Sequence, residues 1–163
     1  MRSDSHLTQY LHGASTNKED QLSWLKNYYD RAGDYYFVVE EKTSCRKEGL
    51  VSLYNLDNLN SRAEWGRWLL RRGSLAAVES VLLIFTFAFQ MLKMNSVYSL
   101  TVADNKKVVS FHNSVGITSQ RELPEYILIN TVLHDAVEHS LDVRDWPAVR
   151  GKLENYARRL EER

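Results

Sequence analysis

The sequence predicts a mixed α/β (α+β) fold, in which helices flank a sheet that is partly parallel. Residues 35–39 and 49–54 are two β-rich runs separated by a charged turn, which indicates a hairpin. Residues 63–70 form a third strand, and a helix over 75–92 connects it to a fourth strand at 98–102. Because a strand–helix–strand crossover joins parallel strands with right-handed topology, part of the sheet is expected to be parallel.

Three further helices are predicted from capping and turn residues. The first starts with the capping signal Ser15-Thr16, which precedes apolar residues at helical spacing. A short helix over 105–115 is closed by Gly116, and an amphipathic helix over 146–160 ends the chain. These helices are expected to cover the sheet.

Two segments are less regular. The helix over 75–92 is apolar on all sides, which predicts that it is buried against the sheet. A strand is predicted over 126–133, and residues 134–142 either pair with it or form a loop. The number of strands beyond the fourth is therefore left open.

The third strand carries the charged residues that matter most for chemistry. Regular alternation along a strand places successive side chains on opposite faces of the sheet. It therefore predicts Glu64 and Trp68 on one face, and Ala63, Trp65 and Arg67 on the other.

Size and composition exclude several classes of function. The 163 residues suit one domain, and Lys plus Arg equal Asp plus Glu at 21 each, so no basic field exists for nucleic acid or anionic membrane. Residues 80–92 are the longest uncharged stretch, and a bilayer span needs about 20 residues. Residues 2–6 lack the apolar core of a signal peptide, and Cys45 has no internal partner. We therefore expect a soluble, cytoplasmic protein.

A basic glycine turn lies between the third strand and the long helix. Its residues are Arg71, Arg72, Gly73 and Ser74. The first amides of a helix have no intrahelical partner, and the helix dipole favours negative charge there. The turn is therefore a candidate phosphate site, and the alternative is an ordinary charged connection.

Between Ala63 and Gly116 several short motifs follow one another in order. They are Glu64-Trp65-Gly66, Arg71-Arg72-Gly73, Ala77-Val78-Glu79, Asn105 with Val108, and Gly116-Ile117. Their order and spacing resemble the cofactor-binding core of the GCN5-related N-acetyltransferases (GNAT), especially the ribosomal-protein and amino-sugar acetyltransferases. The resemblance implies a GNAT-like fold and a single acyl-CoA N-acyltransferase domain over residues 1–163.

Three features depart from the pattern of that family. Leu75 stands where the usual turn has a small residue, although a shifted register restores small residues at Ser74 and Ala76. His112 stands where relatives often have a tyrosine as general acid. The usual first strand and helix are expected to be missing, so the edge of the sheet is either open or covered by a partner, with a homodimer as one alternative.

The resemblance implies acetyl-CoA as cosubstrate and no metal. The residues implied to hold it are Leu69, Arg71, Arg72, Gly73, Ser74, Leu75, Ala76 and Asn105. Glu64 is the implied base that takes a proton from the attacking amine, and His112 the implied acid for the departing thiolate.

Each catalytic candidate also has a plain structural interpretation. Glu64 is alternatively a solvated strand residue paired with Arg62 or Arg67, and His112 is alternatively a packed, hydrogen-bonded core residue. The sequence His-Asp-x-x-Glu-His at 134–139 contains metal-ligand residue types. It lacks helical context and further partners, so we expect no metal there.

The sequence therefore predicts an acetyl-CoA-dependent N-acetyltransferase that transfers acetyl to a primary amine by direct attack. An amino sugar or sugar nucleotide is the favoured small-molecule acceptor, and no nucleic-acid or membrane partner is expected. The alternative is a non-catalytic GNAT-fold module that binds coenzyme A or takes part in assembly.

Overall fold

A six-stranded sheet forms the centre of the protein in the computed structural model, which describes residues 17–162. The strands are β1 (Tyr35–Glu40), β2 (Lys47–Asp57), β3 (Arg62–Leu70), β4 (Ser96–Val102), β5 (Ser119–Ile129) and β6 (Val132–Asp142). The helices are α1 (Lys18–Tyr28), α2 (Ala77–Thr86), α3 (Lys106–Val115) and α4 (Trp146–Glu161). The order across the sheet is β1-β2-β3-β4-β6-β5, with β3 and β4 parallel and the other described neighbours antiparallel. The predicted mixed, partly parallel sheet with flanking helices is confirmed.

The first elements follow the predicted order. Strands β1 and β2 form the predicted hairpin, and Cys45 is exposed in the turn between them. Helix α1 is capped by Asn17, whose side chain accepts a hydrogen bond of 2.9 Å from the Glu19 amide. The predicted capping pair Ser15-Thr16 lies outside the described residues.

Helix α2 is shorter and less buried than predicted. It begins at Ala77 and continues after Thr86 as a π-helical turn, Phe87–Met91. One side packs into the core, but Leu83 is 66% exposed and Met91 69% exposed. The prediction of burial on all sides is wrong, because the sheet covers only one side of this helix.

Strand β3 contains a bulge that overturns the predicted alternation. The register shifts between Leu50 and Ser52 on β2, so two residues of β3 oppose one residue there. Arg67 takes a left-handed conformation, with φ 47°. Trp68 therefore lies on the same face as Trp65, with their ring centroids 5.5 Å apart, and not on the face of Glu64 as predicted.

The C-terminal half adds a hairpin and a helix. The predicted strand over 126–133 is wrong in its bounds, because the chain turns at Asn130 and Thr131, where both residues have positive φ. Residues 134–142 form most of β6, which pairs with β5 on one side and β4 on the other. The alternative that these residues pair is thereby confirmed.

The main core lies between the sheet and helices α2 and α4. Its fully buried side chains include Leu53, Val81, Phe85, Val97 and Leu153. Aromatic rings of Phe85 and Trp146 meet edge-to-face at 5.8 Å, which joins the two helices. Among the described helices none is long and apolar enough to cross a membrane.

Candidate active site

A cleft opens where the two parallel strands separate. The last residue pair between β3 and β4 is Glu64 with Tyr98, although the strands continue to Leu70 and Val102. The two strands are therefore unpaired with each other near Leu69 and Val102. The cleft has a volume of about 110 Å³ and is lined by Trp65, Gly66, Arg67, Trp68, Leu69, Ser99, Leu100, Thr101, Val102, Asn105, Val108 and His112.

The basic turn stands at the end of β3, beside the start of α2. Gly73 has φ 79°, and a hydrogen bond of 3.0 Å from the Ser74 amide to the Arg71 carbonyl closes the turn. Ser74 Oγ accepts a hydrogen bond of 3.2 Å from the Ala76 amide. Arg71 and Arg72 are exposed. The turn thus combines two exposed guanidinium groups with the amides of a helix start, a combination suited to phosphate.

The other implied cofactor residues have different surroundings. Leu75 is 65% exposed, whereas Ser74 and Ala76 are half-buried, so the small residues are the ones that face the protein. Leu69 is buried in the cleft wall. Asn105 precedes α3 and lines the cleft, but its side chain makes no capping hydrogen bond. The Asn105 side chain therefore does not cap α3.

A buried carboxylate supports the basic turn from β2. The Glu48 carbonyl accepts a hydrogen bond of 2.8 Å from the Arg71 amide. The pKa of the Glu48 carboxyl is lowered by a hydrogen bond from Ser74 and by one from Arg46. These contacts attach the turn to the hairpin and hold Ser74 in place.

Glu64 lies on β3 at its last residue pair with β4, next to the cleft residue Trp65, and is only 7% exposed. The Tyr54 hydroxyl donates to its Oε1 at 2.8 Å, and the Asn55 amide donates to its Oε2 at 2.9 Å. Burial and the Glu64 charge together raise the pKa of the Tyr98 phenol to about 12. A carboxylate has about four acceptor sites, so Glu64 retains capacity for a further proton donor.

The arginines beside Glu64 have other partners. Arg67 binds both Asp34 oxygens, at 2.7 and 2.9 Å, and its guanidinium lies 4.1 Å from the Tyr54 ring centroid. Arg62 binds Glu138 at 2.8 Å. In the described part of the chain neither arginine forms an ion pair with Glu64, so the alternative of a solvated, paired strand residue does not hold.

His112 is fully buried and forms part of the cleft wall. Its Nδ1 lies 2.7 Å from the Val108 carbonyl, and its Nε2 lies 3.1 Å from Ser99 Oγ. The ring stacks on His139 with centroids 4.4 Å apart. Burial, and then the neighbouring His139, lower the pKa of His112 to about 4. The ring is therefore neutral at neutral pH. Its Nε2 carries no proton, so His112 has no proton there to donate to a thiolate in the cleft.

The buried histidine pair predicts that acid destabilises the fold. The pKa of His112 in the folded protein is lowered from 6.5 to about 4. Between these two pH values the unfolded chain therefore binds a proton that the folded chain does not. Stability from this group is full above the unfolded pKa and is lost as the pH falls toward the folded pKa, by as much as about 3 kcal/mol. Burial also lowers the pKa of His139, which acts in the same direction.

Urea unfolding followed by tryptophan fluorescence at neutral and acidic pH measures this dependence. We expect His112→Gln to flatten it, and His134→Gln, on the β5–β6 hairpin, to leave it unchanged. Equal pH dependence in wild type and His112→Gln would show that His112 is not responsible.

Three residues of the candidate metal motif at 134–139 make contacts with other side chains or backbone groups. Glu138 binds Arg62 and also Arg121, at 3.0 Å. His139 stacks on His112, and Asp135 accepts from the Glu125 amide at 2.8 Å. Within residues 17–162 no group of three or more His, Cys, Asp or Glu side chains is arranged to hold a metal ion.

Four residues of this region were not identified from the sequence: Glu48, Tyr54, Asn55 and Ser99. His139 was considered only as part of the candidate metal motif. Tyr54 is directly opposite Glu64 in the pairing of β2 with β3, and Asn55 follows it at a bulge of β2, where Asn55 has φ 50°. Ser99 and His139 are directly opposite each other on β4 and β6. Their discovery from sequence would have required the strand register, which local patterns do not contain.

The chain is similar to proteins of known family. A family model described as acetyltransferase (GNAT) domain matches residues 1–118. A protein of Bacillus subtilis (strain 168) named "Putative ribosomal N-acetyltransferase YdaF" is 27% identical over 136 residues, which cover 82% of this chain and 73% of that protein.

Solved structures share the fold. A GCN5-related N-acetyltransferase from Brucella melitensis has a TM-score of 0.82 at 17% identity, covering 94% of this chain and 73% of that one. A mutant of the spermidine N-acetyltransferase SpeG from Vibrio cholerae has a TM-score of 0.72 at 18% identity, covering 81% of this chain and 79% of that one. At such identities the likeness concerns the fold alone.

Proposed function

Since this chain belongs to the acetyltransferase (GNAT) domain family, we propose that it transfers the acetyl group of acetyl-CoA to a primary amine by direct attack. The observation that carries this proposal is the position of Glu64. Its carboxylate lies at the point where β3 and β4 separate, next to a cleft that continues toward a basic helix-start turn. The stretch of β3 that lines this cleft, from Trp65 to Leu69, lies in the chain between the proton acceptor Glu64 and the basic turn.

The turn after β3 would hold the pyrophosphate of acetyl-CoA. Arg71 and Arg72 supply positive charge, and the amides at the start of α2 supply donors. Gly73 has open space around it, because a Cβ there would meet nothing within 4 Å. Asn105 and Leu69 line the cleft on the way to Glu64. The residues present therefore fit the cosubstrate.

Glu64 would act as the base. At neutral pH a primary amine is mostly protonated, and only the neutral form attacks a thioester. The hydrogen bonds from Tyr54 and Asn55 hold the carboxylate in one orientation. Strand β3 has no residue pair with β4 beyond Glu64, so backbone amides there would be available to polarise the thioester carbonyl. Thiolate is a good leaving group, so water would suffice to protonate it.

We favour an amino sugar or sugar nucleotide as the acceptor. Aromatic rings extend from Glu64 along its face of the sheet: Tyr54 contacts Arg67, and Arg67 also lies 5.9 Å from the Tyr36 ring. Aromatic faces suit sugar rings. The carboxylates Asp34 and Glu138 on this side are paired with arginines. Less negative charge is therefore left to attract a cationic polyamine.

Calorimetry with acetyl-CoA tests the binding half of the proposal. We expect wild type to bind, and replacement of both Arg71 and Arg72 by Ala to weaken binding by about tenfold or more, because charge-assisted contacts to phosphate are lost. Replacement of Arg150 and Arg158 on α4 by Ala is the matched control and should have no effect. Absence of binding at millimolar acetyl-CoA would refute the proposed function.

A thiol-release assay against amino sugars, peptides and polyamines tests the reaction. Thiol release with an amine and formation of the acetylated amine are expected. Binding of acetyl-CoA without turnover on any amine would instead support the non-catalytic module.

A further inference from the structure

Ser99 lies where strand β4 loses its parallel partner. It is the residue after Tyr98, which forms the last pair with β3. Its side chain is buried in the protein but lines the cleft together with His112. The proposed function brings a thioester into this cleft, and the inference that follows rests on that function.

The hydrogen bonds of His112 fix the direction of the Ser99 proton. A carbonyl oxygen only accepts, so Nδ1 of His112 carries the ring proton and donates it to Val108 at 2.7 Å. Nε2 of the neutral ring is then an acceptor, and Ser99 Oγ donates to it across 3.1 Å. The stacked ring of His139 holds the imidazole plane. A serine directed at an imidazole that a third group orients is the arrangement of an activated nucleophile.

Ser99 and Glu64 lie on opposite faces of the sheet. The Glu64 charge raises the pKa of the Tyr98 phenol, so these two side chains lie on the same face. Because side chains alternate along β4, Ser99 points to the other face, toward His112. A planar thioester carbonyl between the strands would offer one side to an amine near Glu64 and the other to Ser99. We infer that Ser99 is a second acetyl acceptor, which takes the acetyl group from acetyl-CoA when no amine is bound and uses His112 as its base.

The reaction balances with the groups that are present. Ser99 Oγ forms a bond to the acetyl carbon as its proton moves to His112 Nε2, and the carbon–sulfur bond breaks. The thiolate then takes the proton from Nε2. The products are acetyl-Ser99, free coenzyme A thiol and a neutral His112, with no oxidation or reduction.

The environment of His112 sets the pH dependence of this side reaction. Ser99, Trp65, Phe111 and His139 pack on the ring, and His139 is the titratable group among them. Because the pKa of His112 is lowered to about 4, its base form prevails through the neutral range. The rate should be flat there and fall below roughly pH 5. So weak a base makes the reaction slow compared with amine acetylation.

The test incubates the wild-type protein with acetyl-CoA alone and measures intact mass, followed by peptide mapping. We expect a gain of one acetyl group at Ser99 and a matching release of thiol. Ser99→Ala should abolish the adduct at that peptide, and His112→Gln should slow its formation by about tenfold or more. Ser114→Ala, an exposed serine on α3, is the control and should acetylate as wild type does.

Two further measurements separate this inference from the proposed function. Calorimetry establishes whether acetyl-CoA binds wild type and each variant, and nitrogen NMR of the histidine rings reports whether His112 is protonated at Nδ1 in the free protein. Binding and amine acetylation without acetyl-Ser99 in wild type would overturn the inference and leave the proposed function intact. A proton on Nε2 of His112, or an unchanged rate in His112→Gln, would overturn the role of His112 as base.

Discussion

Replacing Glu64 with Gln is expected to lower kcat for amine acetylation by about 100- to 10,000-fold, the range in which a positioned general base contributes. Gln has the same shape and can keep contacts to Tyr54 and Asn55, because the hydroxyl and amide of these residues can reorient. It cannot take a proton from the amine. Steady-state kinetics with the best acceptor from the amine panel measure the change, and acetyl-CoA binding should remain.

The control for this substitution is Glu154→Gln on α4, which removes only an exposed pair with Arg150. Its kcat should equal that of wild type. Tyr54→Phe should give an intermediate loss, because it removes the 2.8 Å hydrogen bond that orients Glu64. An active Glu64→Gln preparation with wild-type turnover would rule out Glu64 as the base, whatever the acceptor.

The second large effect concerns the fold. Gly49→Ala is expected to destabilise the protein by more than about 3 kcal/mol. A Cβ at Gly49 would lie 2.2 Å from the Leu69 carbonyl oxygen and 2.5 Å from Leu70, so β2 and β3 could not remain paired there. This stretch also holds the basic turn through Glu48 and Arg71, so acetyl-CoA binding should weaken as well. Urea unfolding gives the stability change.

Gly151→Ala is expected to stabilise the protein, whereas Gly49→Ala is expected to destabilise it. Gly151 lies inside α4, and a Cβ there would meet nothing within 4 Å. Because glycine is a poor helix former, alanine should stabilise by about 0.5–1 kcal/mol. A stable Gly49→Ala variant would mean that β2 and β3 approach each other less closely at this point.

Local patterns were sufficient for features that a few neighbouring residues determine. The β1–β2 hairpin, the basic turn and the closure of α3 at Gly116 all rest on turn and capping chemistry close in sequence. Gly116 shows why: its φ of 95° is accessible to glycine without strain. The motif order from Glu64 onward likewise identified the family, because it preserves the sequence of elements around the cleft.

The wrong predictions share a different cause. Alternation along β3 failed at Arg67 because a bulge depends on how β2 pairs with it. One side of α2 is exposed because no other element covers it in the described part of the chain, and Leu83 lies on that side. Helical spacing gives the positions of apolar residues but not the presence of a partner on each side.

The sequence by itself therefore determined the family, the order of elements and the two candidates Glu64 and His112, because these depend on residue type and spacing along the chain. Only the tertiary structure decided what those candidates can do. Strand register brings Tyr54 to Glu64, and the packing of α3 on the sheet brings His112 to Ser99. Burial lowers the pKa of His112 and leaves the imidazole neutral. Proton affinity and hydrogen-bond direction depend on surroundings in space, and those surroundings come from segments distant in sequence.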